Sequence, residues 1–489
     1  MPRRLRCAAM IPAVFAFLLA IAAPSTALGV DERPNVLFII ADDLTRTALG
    51  CYGNPICKTP NIDRLASQGV RFSRAYCQAT YCGPSRASFL SGYYPHATKV
   101  FGYVSGRQAI GDARATWPQH FKNAGYHSAR VGKIFHMGLA DVENGTDGAD
   151  DPATWSERHN SKGLEWKAPG TGATLENNPD GKKPVIGGNN FVVLATEGDD
   201  QVLADTQTAS TAVQLIEKFK DRADPFFLAV GFMRPHVPFV APKAYYDLYP
   251  YESIELPPDA EADQENIPPA GINYRTGSGM QFNDDRRKKA IAGYYASVTY
   301  MDAQVGRVLD ALERSGRAGN TIVILTSDHG FHLGEHDFWA KVSLHEESAT
   351  VPLIIRKPGG KPGVSRSIVG LIDLYPTVSR LCGLEVPSRL QGLDIGPILD
   401  DPSRSVRDAM LSINTPSYHN GFLWRDDRWA FIQYSEDASK GIELYDMEAD
   451  PLQRRNLARD PAHREQVDSF KAKIAARLRE IRTNDLGLN

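Results

Sequence analysis

A chain of 489 residues, 42% of them hydrophobic, is too long for one small core, so a large domain with a smaller companion is expected. Its formal net charge of −3 gives no electrostatic case for nucleic acid. Six cysteines in this length are too few for a disulfide scaffold, and no pair has the Cys-x-x-Cys spacing of a zinc site.

In chain order, Arg3, Arg4 and Arg6 are followed by an apolar run over residues 8–23 and by the small residues Ser25-Thr26-Ala27. This is the pattern of a secretory signal peptide, placed at residues 1–27. Cys7 precedes the apolar run, which argues against a lipid-anchored cysteine. No later stretch is long and apolar enough to span a membrane. The mature chain is therefore expected to be exported, periplasmic or secreted (a lysosome-type compartment if eukaryotic), without membrane contact after signal removal.

Residues 36–41 are a continuous apolar run, as in a strand buried on both faces, and end in Asp42-Asp43. The carboxyl ends of such strands are where open α/β sheets bind ligands. A short helix is expected at 60–69 with Thr59 as N-cap, then a strand at 70–76. Cys82-Gly83-Pro84-Ser85-Arg86 opens a helix that Gly92 closes, which puts Cys82 at a helix N-terminus suited to anions. A helix at 117–123 and a strand at 126–132 deliver Lys133 and His136 to a loop. Residues 138–200 read as a long surface excursion shaping a pocket rim. A helix at 205–220 and a buried strand at 225–232 lead to Arg234-Pro235-His236-Val237-Pro238. A loop-rich stretch, 249–282, precedes a long helix at 286–314 with a bend expected at Gly293. A second buried strand, 321–327, ends in Asp328-His329-Gly330. A strand at 351–356 and a helix at 371–382 follow.

Alternating strands and helices indicate an α/β fold with a large, mostly parallel central sheet flanked by helices, over residues 31–385. Residues 386–489 read as a smaller α+β subdomain, with antiparallel strands within 424–434 and 442–445 and a closing helix at 460–483. Asp42, Asp43, Asp328 and His329 then meet at one sheet edge beside Cys82, a donor set for a hard divalent cation, Ca²⁺ first and Mg²⁺ second. A single Asp-Asp pair is more often a cap or turn, but two acidic strand ends weaken that explanation. Arg86, Lys133, His136, His236 and Lys341 add cationic or protonatable groups. Taken singly each is an ordinary surface charge or bonded histidine; around a metal they outline a pocket for sulfate or phosphate.

Cys82-Gly83-Pro84-Ser85-Arg86 resembles the signature of the type I sulfatases of the alkaline-phosphatase-like superfamily. The resemblance extends through Pro34-Asn35, Asp42-Asp43, Thr59-Pro60-Asn61-Ile62-Asp63, Gly132-Lys133, Pro235-His236 and Ser327-Asp328-His329-Gly330. Within that family the chain looks most like the iduronate-2-sulfatases, on Val131-Gly132-Lys133-Ile134-Phe135-His136, Pro235-His236-Val237-Pro238-Phe239, Gly334-Glu335-His336 and Trp339-Ala340-Lys341. The resemblance implies an alkaline-phosphatase-like sandwich and removal of O-sulfate from a sulfated carbohydrate. It also implies a maturation enzyme that oxidises Cys82 to Cα-formylglycine. Asp42, Asp43, Asp328, His329 and the modified Cys82 would hold Ca²⁺. Arg86 and Lys133 would hold the hydrated formylglycine, Lys341 and His236 the sulfate. His236 would protonate the leaving oxygen and His136 deprotonate the second hydroxyl.

Three positions depart from the commoner family pattern. His329 stands where asparagine is usual, His136 lies three residues after Lys133 rather than two, and Ser91-Gly92 replaces Thr-Gly. The alternatives to a sulfatase are a phosphodiesterase or phosphonate hydrolase of the same superfamily, a non-catalytic sulfated-glycan-binding protein, and a hydrolase using the Cys82 thiol directly.

Overall fold

The structure is a computed structural model that describes residues 1–2, 33–258 and 262–488. The signal peptide expected at 1–27 lies, apart from its first two residues, outside the described residues. Among the described residues no helix is long and apolar enough to cross a membrane.

The central sheet is built from β1 (Asn35–Asp42), β2 (Val70–Tyr76), β3 (His127–Gly132) and β4 (Glu157–His159). It continues with β5 (Phe226–Pro235), β6 (Thr321–Ser327), β7 (Thr350–Arg356) and β8 (Gly363–Gly370). In space the order is β8-β2-β7-β6-β1-β5-β3-β4. Neighbours are parallel except around β7, which is antiparallel to both β2 and β6.

Helices α1 (Pro60–Ala66), α2 (Cys82–Ser91), α3 (Trp117–Asn123), α4 (Ala204–Phe219), α5 (Asp284–Arg314) and α6 (Leu374–Leu381) cover the two faces. Leu37 and Ile39 of β1 pack in one core with Ile62, Ala212 and Val305, from α1, α4 and α5. Phe38 and Ile40 pack in another with Phe89, Trp117 and Val378, from α2, α3 and α6. This is why β1 reads as an unbroken apolar run: both faces are buried, and each large side chain is worth roughly 1.5–3 kcal/mol over an exposed one.

The elements depart from expectation in four places. Thr59 makes no capping bond; its hydroxyl accepts from Gly50 N at 2.9 Å and donates to Asp63 Oδ1 at 3.1 Å, tying the preceding loop to α1. Helix α5 runs through Gly293 without interruption. A Cβ there would come within 2.6 Å of Val193 Cγ1, so this glycine serves close packing rather than a bend. The 138–200 excursion is not all loop: Gly170–Thr174 and Val192–Thr196 join Phe239–Pro242 in a three-stranded sheet beside α5. The C-terminal region gains a strand at its start, giving an antiparallel meander of β9 (Ala409–Ile413), β10 (Gly421–Asp426), β11 (Trp429–Tyr434) and β12 (Ile442–Asp446). Helix α7 (Arg464–Arg482) closes it, with Phe470 stacked on Phe431 at 5.6 Å.

Strand β9 also joins the meander to the first domain. Ile413 N donates to Gln78 O at 3.1 Å, and Thr80 N donates to Ile413 O at 3.2 Å. Those residues lead directly into Cys82.

Candidate active site

Asp42–Asp43, Cys82, Lys133, His236 and Asp328–His329 all follow the carboxyl ends of parallel strands, so the topology alone brings their loops to one edge of the sheet. Asp42 ends β1, and Asp43 takes a left-handed φ of 63°. Successive residues of a regular strand point to opposite faces; the left-handed residue breaks that alternation, and both carboxylates reach one cluster. Tyr294 of α5 secures the turn, donating to Asp43 O at 2.7 Å and accepting from Thr45 N at 2.8 Å.

Cys82 is the first residue of α2, and Gly92 ends that helix at φ 80°. Its Sγ lies 3.1 Å from Lys341 Nζ, 3.2 Å from His329 Nε2 and 3.7 Å from Asp43 Oδ1. Burial pushes the thiol well above its usual pKa; Lys341 opposes this, but Asp42, Asp328 and Asp43 add to it. Burial thus works against the thiolate that a helix N-terminus would otherwise favour.

One turn further on, Arg86 spreads its fork across the cluster. Nε donates to Asp328 Oδ2 and Nη2 to Asp42 Oδ1, each at 2.9 Å, while Nη1 donates to the Lys133 and Ile134 carbonyls at 2.7 and 3.0 Å. Lys133 reaches Asp42 Oδ2. Its approach depends on Gly132 and Gly231, paired between β3 and β5: a Cβ on Gly132 would meet Gly231 O at 2.2 Å, and one on Gly231 would meet Lys133 O at 2.0 Å. Lys341 donates to both oxygens of Asp43, at 2.7 and 2.9 Å. It is flanked by Ala340 at φ 69° and Val342 at φ 77°, the latter a rare conformation for a β-branched residue.

The two adjacent aspartates are driven apart. Burial raises Asp42, but the charges of Lys133, Arg86 and Lys341 together hold it well below the usual carboxylate range. Asp43 goes up: burial dominates, Lys341 and His329 only partly offset it, and Asp42 and Asp328 repel its charge. His329 donates from Nδ1 to Gly330 O at 2.8 Å, which turns Nε2 toward Asp43 Oδ1 at 3.3 Å. Three buried carboxylates gathered beside imidazole nitrogens are an arrangement a cation completes. The oxygen-rich donors fit a hard divalent ion, with Asp42, Asp43, Cys82 and His236 in one candidate group and Cys82, Asp328 and His329 in the other.

His236 thus stands with the cluster, its Nε2 3.9 Å from Asp43 Oδ2. Burial and then Lys341 hold it well below its ordinary pKa, and Nδ1 donates to Val237 O at 2.5 Å. It is a neutral ring with an accepting Nε2, so the proton donation expected of it requires a bound anion to raise its pKa. His136 is set apart from the carboxylates, stacked on Tyr103 with centroids 3.8 Å apart. Burial, with Lys133 next, depresses it to about 2.

These groups border a cavity of about 480 Å³, with Asp43, Lys133, His236 and Lys341 among its lining residues. Tyr81, Tyr103, Tyr274 and Tyr418 line it as well, and the sequence reading missed all four. They lie on irregular segments with no periodicity to reveal them; the only local signal was Tyr81 preceding the cysteine motif. Asp205 of α4 was also missed. Its carboxylate accepts from Met233 N and Arg234 N at 2.8 and 2.9 Å, fixing the chain ahead of His236. A larger cleft of about 840 Å³ borders α7 and is lined by Arg389, Trp424 and Arg477, away from the carboxylate cluster.

Comparison with known proteins bears on this geometry. The profile of the family described as Sulfatase matches residues 34–384, and that of the N-sulphoglucosamine sulphohydrolase C-terminal region matches residues 334–482. Iduronate 2-sulfatase of Homo sapiens is 37% identical over 413 residues, covering 76% of this chain and 72% of that protein. The Mus musculus iduronate 2-sulfatase is 32% identical over 545 residues, covering 91% and 95%. Among solved structures, phosphonate monoester hydrolase of Agrobacterium radiobacter superposes with a TM-score of 0.74 at 22% identity, covering 92% of this chain and 96% of that one. At that identity the likeness speaks for the fold alone. The family profile covers most of the chain and every residue of the buried cluster: this protein belongs to the sulfatase family.

Proposed function

We propose that the protein is an exported sulfuric ester hydrolase that removes O-sulfate from a sulfated sugar of a polysaccharide or glycosaminoglycan, with an iduronate-2-sulfatase-like substrate, using Cα-formylglycine made from Cys82. The observation that carries this reading is the convergence on Cys82 Sγ of Lys341 at 3.1 Å and His329 at 3.2 Å, beside Asp43. An ammonium, an imidazole and a carboxylate converging on one atom suit an oxygen-bearing residue, which makes stronger hydrogen bonds to charged groups than sulfur does. The iduronate 2-sulfatases among its relatives support the sugar.

Formylglycine at Cys82 would supply a hydrated aldehyde, an oxygen nucleophile toward sulfur whose second hydroxyl, on losing its proton, allows the aldehyde to re-form as sulfate leaves. A divalent cation held by Asp42, Asp43, Asp328 and His329 would supply positive charge to acidify the nucleophile. The chain's own residues do the rest. Arg86 and Lys133 keep Asp42 ionised and oriented. Lys341 presents an ammonium at the cavity floor for the sulfate oxygens. His236 faces the same cavity as a neutral ring, and the charge of a bound sulfate ester raises its pKa toward the range where it can protonate the leaving alcohol.

The test is inorganic sulfate release from a panel of defined sulfated saccharides and matched phosphate esters, using protein co-expressed with a formylglycine-generating enzyme. Release from a 2-O-sulfated uronic acid, faster than phosphate release, is expected. Phosphate release alone would replace this reading with a phosphoester hydrolase; tight glycan binding without turnover would replace it with a binding protein.

A further inference from the structure

The four tyrosines of the cavity form one arc of ring contacts. Tyr103 lies 5.1 Å from Tyr81, Tyr81 lies 5.9 Å from Tyr418, and Tyr418 lies 5.4 Å from Tyr274, centroid to centroid. The arc is anchored at both ends: Tyr103 stacks on His136, and the Arg275 guanidinium sits 5.6 Å from the Tyr274 centroid. Arg275 is itself held by Glu176 Oε2 at 2.5 Å and by the Asn189 carbonyl at 2.8 Å. Four separate stretches of chain contribute, and Tyr418 comes from the β9–β10 connection of the C-terminal meander.

An inorganic anion would need only the lysines and histidines of the cavity floor. Aromatic faces above them serve what the anion is attached to. Aromatic rings in ligand pockets bury apolar faces, and phenol hydroxyls add polar contacts that fix orientation. Tyr81 and Tyr103 spend their hydroxyls on each other, whereas those of Tyr274 and Tyr418 make no hydrogen bond among the described residues. Free hydroxyls beside ring faces suit a ligand with an apolar face and a hydroxylated edge, which is a pyranose.

We propose that this arc is the subsite for the sugar bearing the scissile sulfate, and that Tyr418 and Tyr274 are specificity-determining. The sugar's C–H face lies on the rings, and its hydroxyls reach Tyr274 and Tyr418. The C-terminal meander thereby takes part in substrate choice. The proposal rests on the sulfatase reading above.

The experiment compares the wild type with Tyr418→Ala, Tyr274→Ala, Tyr418→Phe and Tyr274→Phe. The substrates are a disaccharide carrying one 2-O-sulfated uronic acid and 4-nitrophenyl sulfate, with inorganic sulfate as inhibitor. Each alanine variant is expected to raise the disaccharide KM by about tenfold, as for truncation of an aromatic ring that a bound ligand covers, with the loss falling on KM more than on kcat. Each phenylalanine variant should weaken the disaccharide but not the aryl ester, and the inhibition constant of inorganic sulfate should stay unchanged throughout. Unchanged disaccharide KM in both alanine variants overturns the subsite while leaving the sulfatase reading intact. A parallel rise in the sulfate inhibition constant also overturns it, because the floor would then have collapsed. Loss confined to 4-nitrophenyl sulfate overturns the sugar in favour of an aryl group. A wild type that releases sulfate from neither substrate overturns the sulfatase reading, and the subsite with it.

Discussion

Arg86 leaves only 1% of its side chain exposed, yet its fork is shared among two carboxylates and two carbonyls. A buried cation is tolerable only with such pairing, and lysine cannot reproduce the planar fork. Arg86→Lys should therefore destabilise the fold by about 3 kcal/mol, read as a lower denaturant midpoint at unchanged slope. Asp205 makes a pH prediction. Burial raises its pKa to about 7, against which the Met233 and Arg234 N–H groups act only in part. The folded state thus binds a proton that the unfolded carboxyl has released, so this group's stabilising contribution is complete at low pH and declines as pH rises from about 4 through about 7, by at most about 1.4 kcal/mol per pH unit. Asp205→Asn should remove that slope from a plot of unfolding free energy against pH. An identical slope in the variant would show that Asp205 does not titrate in this window. At this scale the sequence was readable where a residue's type announced its chemistry, as with Asp42-Asp43 or Arg86. It was silent on Asp205 and Tyr294, whose importance comes from what the fold sets beside them.

The loop carrying Lys341 and the strand β9 show how elements outside the main sheet hold the site. Ala340 and Val342 both adopt left-handed φ around Lys341, and the His332–Leu333 and Trp339–Ala340 hairpin fixes the approach. Val342 N donates to Thr80 O at 3.1 Å, while Thr80 N is engaged by Ile413 of β9, so the lysine loop, the cysteine loop and the C-terminal meander meet at one residue. Ala340→Gly should relieve the strain and raise unfolding free energy by about 1 kcal/mol in calorimetry or denaturant titration. A decrease instead would mean that the Ala340 methyl contributes more packing than its φ costs. The meander shares a core with Tyr76, Tyr93 and Tyr94 of the first domain. One cooperative melting transition is therefore expected for the full chain, and a chain ending at residue 385 should show no native melt and release no sulfate. Two separated transitions would contradict this coupling. The strands β1 and β6 were legible because burial on both faces leaves an unbroken apolar run. Strand β9, five residues long, and the three-stranded sheet within 138–242 were not, because short strands stabilised by distant partners carry little local signal.

Across the molecule, the parallel strand ends, helix α2 and the Lys341 loop gather three buried aspartates, two lysines and an arginine into one cluster, with the aromatic arc above it. The proposed chemistry adds a cation and an anion to that cluster. Chelation of divalent ions should lower the melting midpoint and abolish sulfate release, with Ca²⁺ restoring both more fully than Mg²⁺. Recovery by neither ion would separate the carboxylate cluster from metal binding. The α/β architecture and the positions of the charged residues could be read from the chain because apolar runs ending in carboxylates follow simple rules of burial and topology. The tyrosine arc could not, since its members come from loops brought together only by the complete fold, Tyr418 from beyond the large sheet altogether. The central claim is that Cys82 works as an aldehyde hydrate rather than as a thiol. Mass spectrometry of the peptide containing Cys82, taken from protein that is releasing sulfate, tests it directly. The account predicts that the thiol has been replaced by the aldehyde of Cα-formylglycine; an intact cysteine in fully active protein would contradict it.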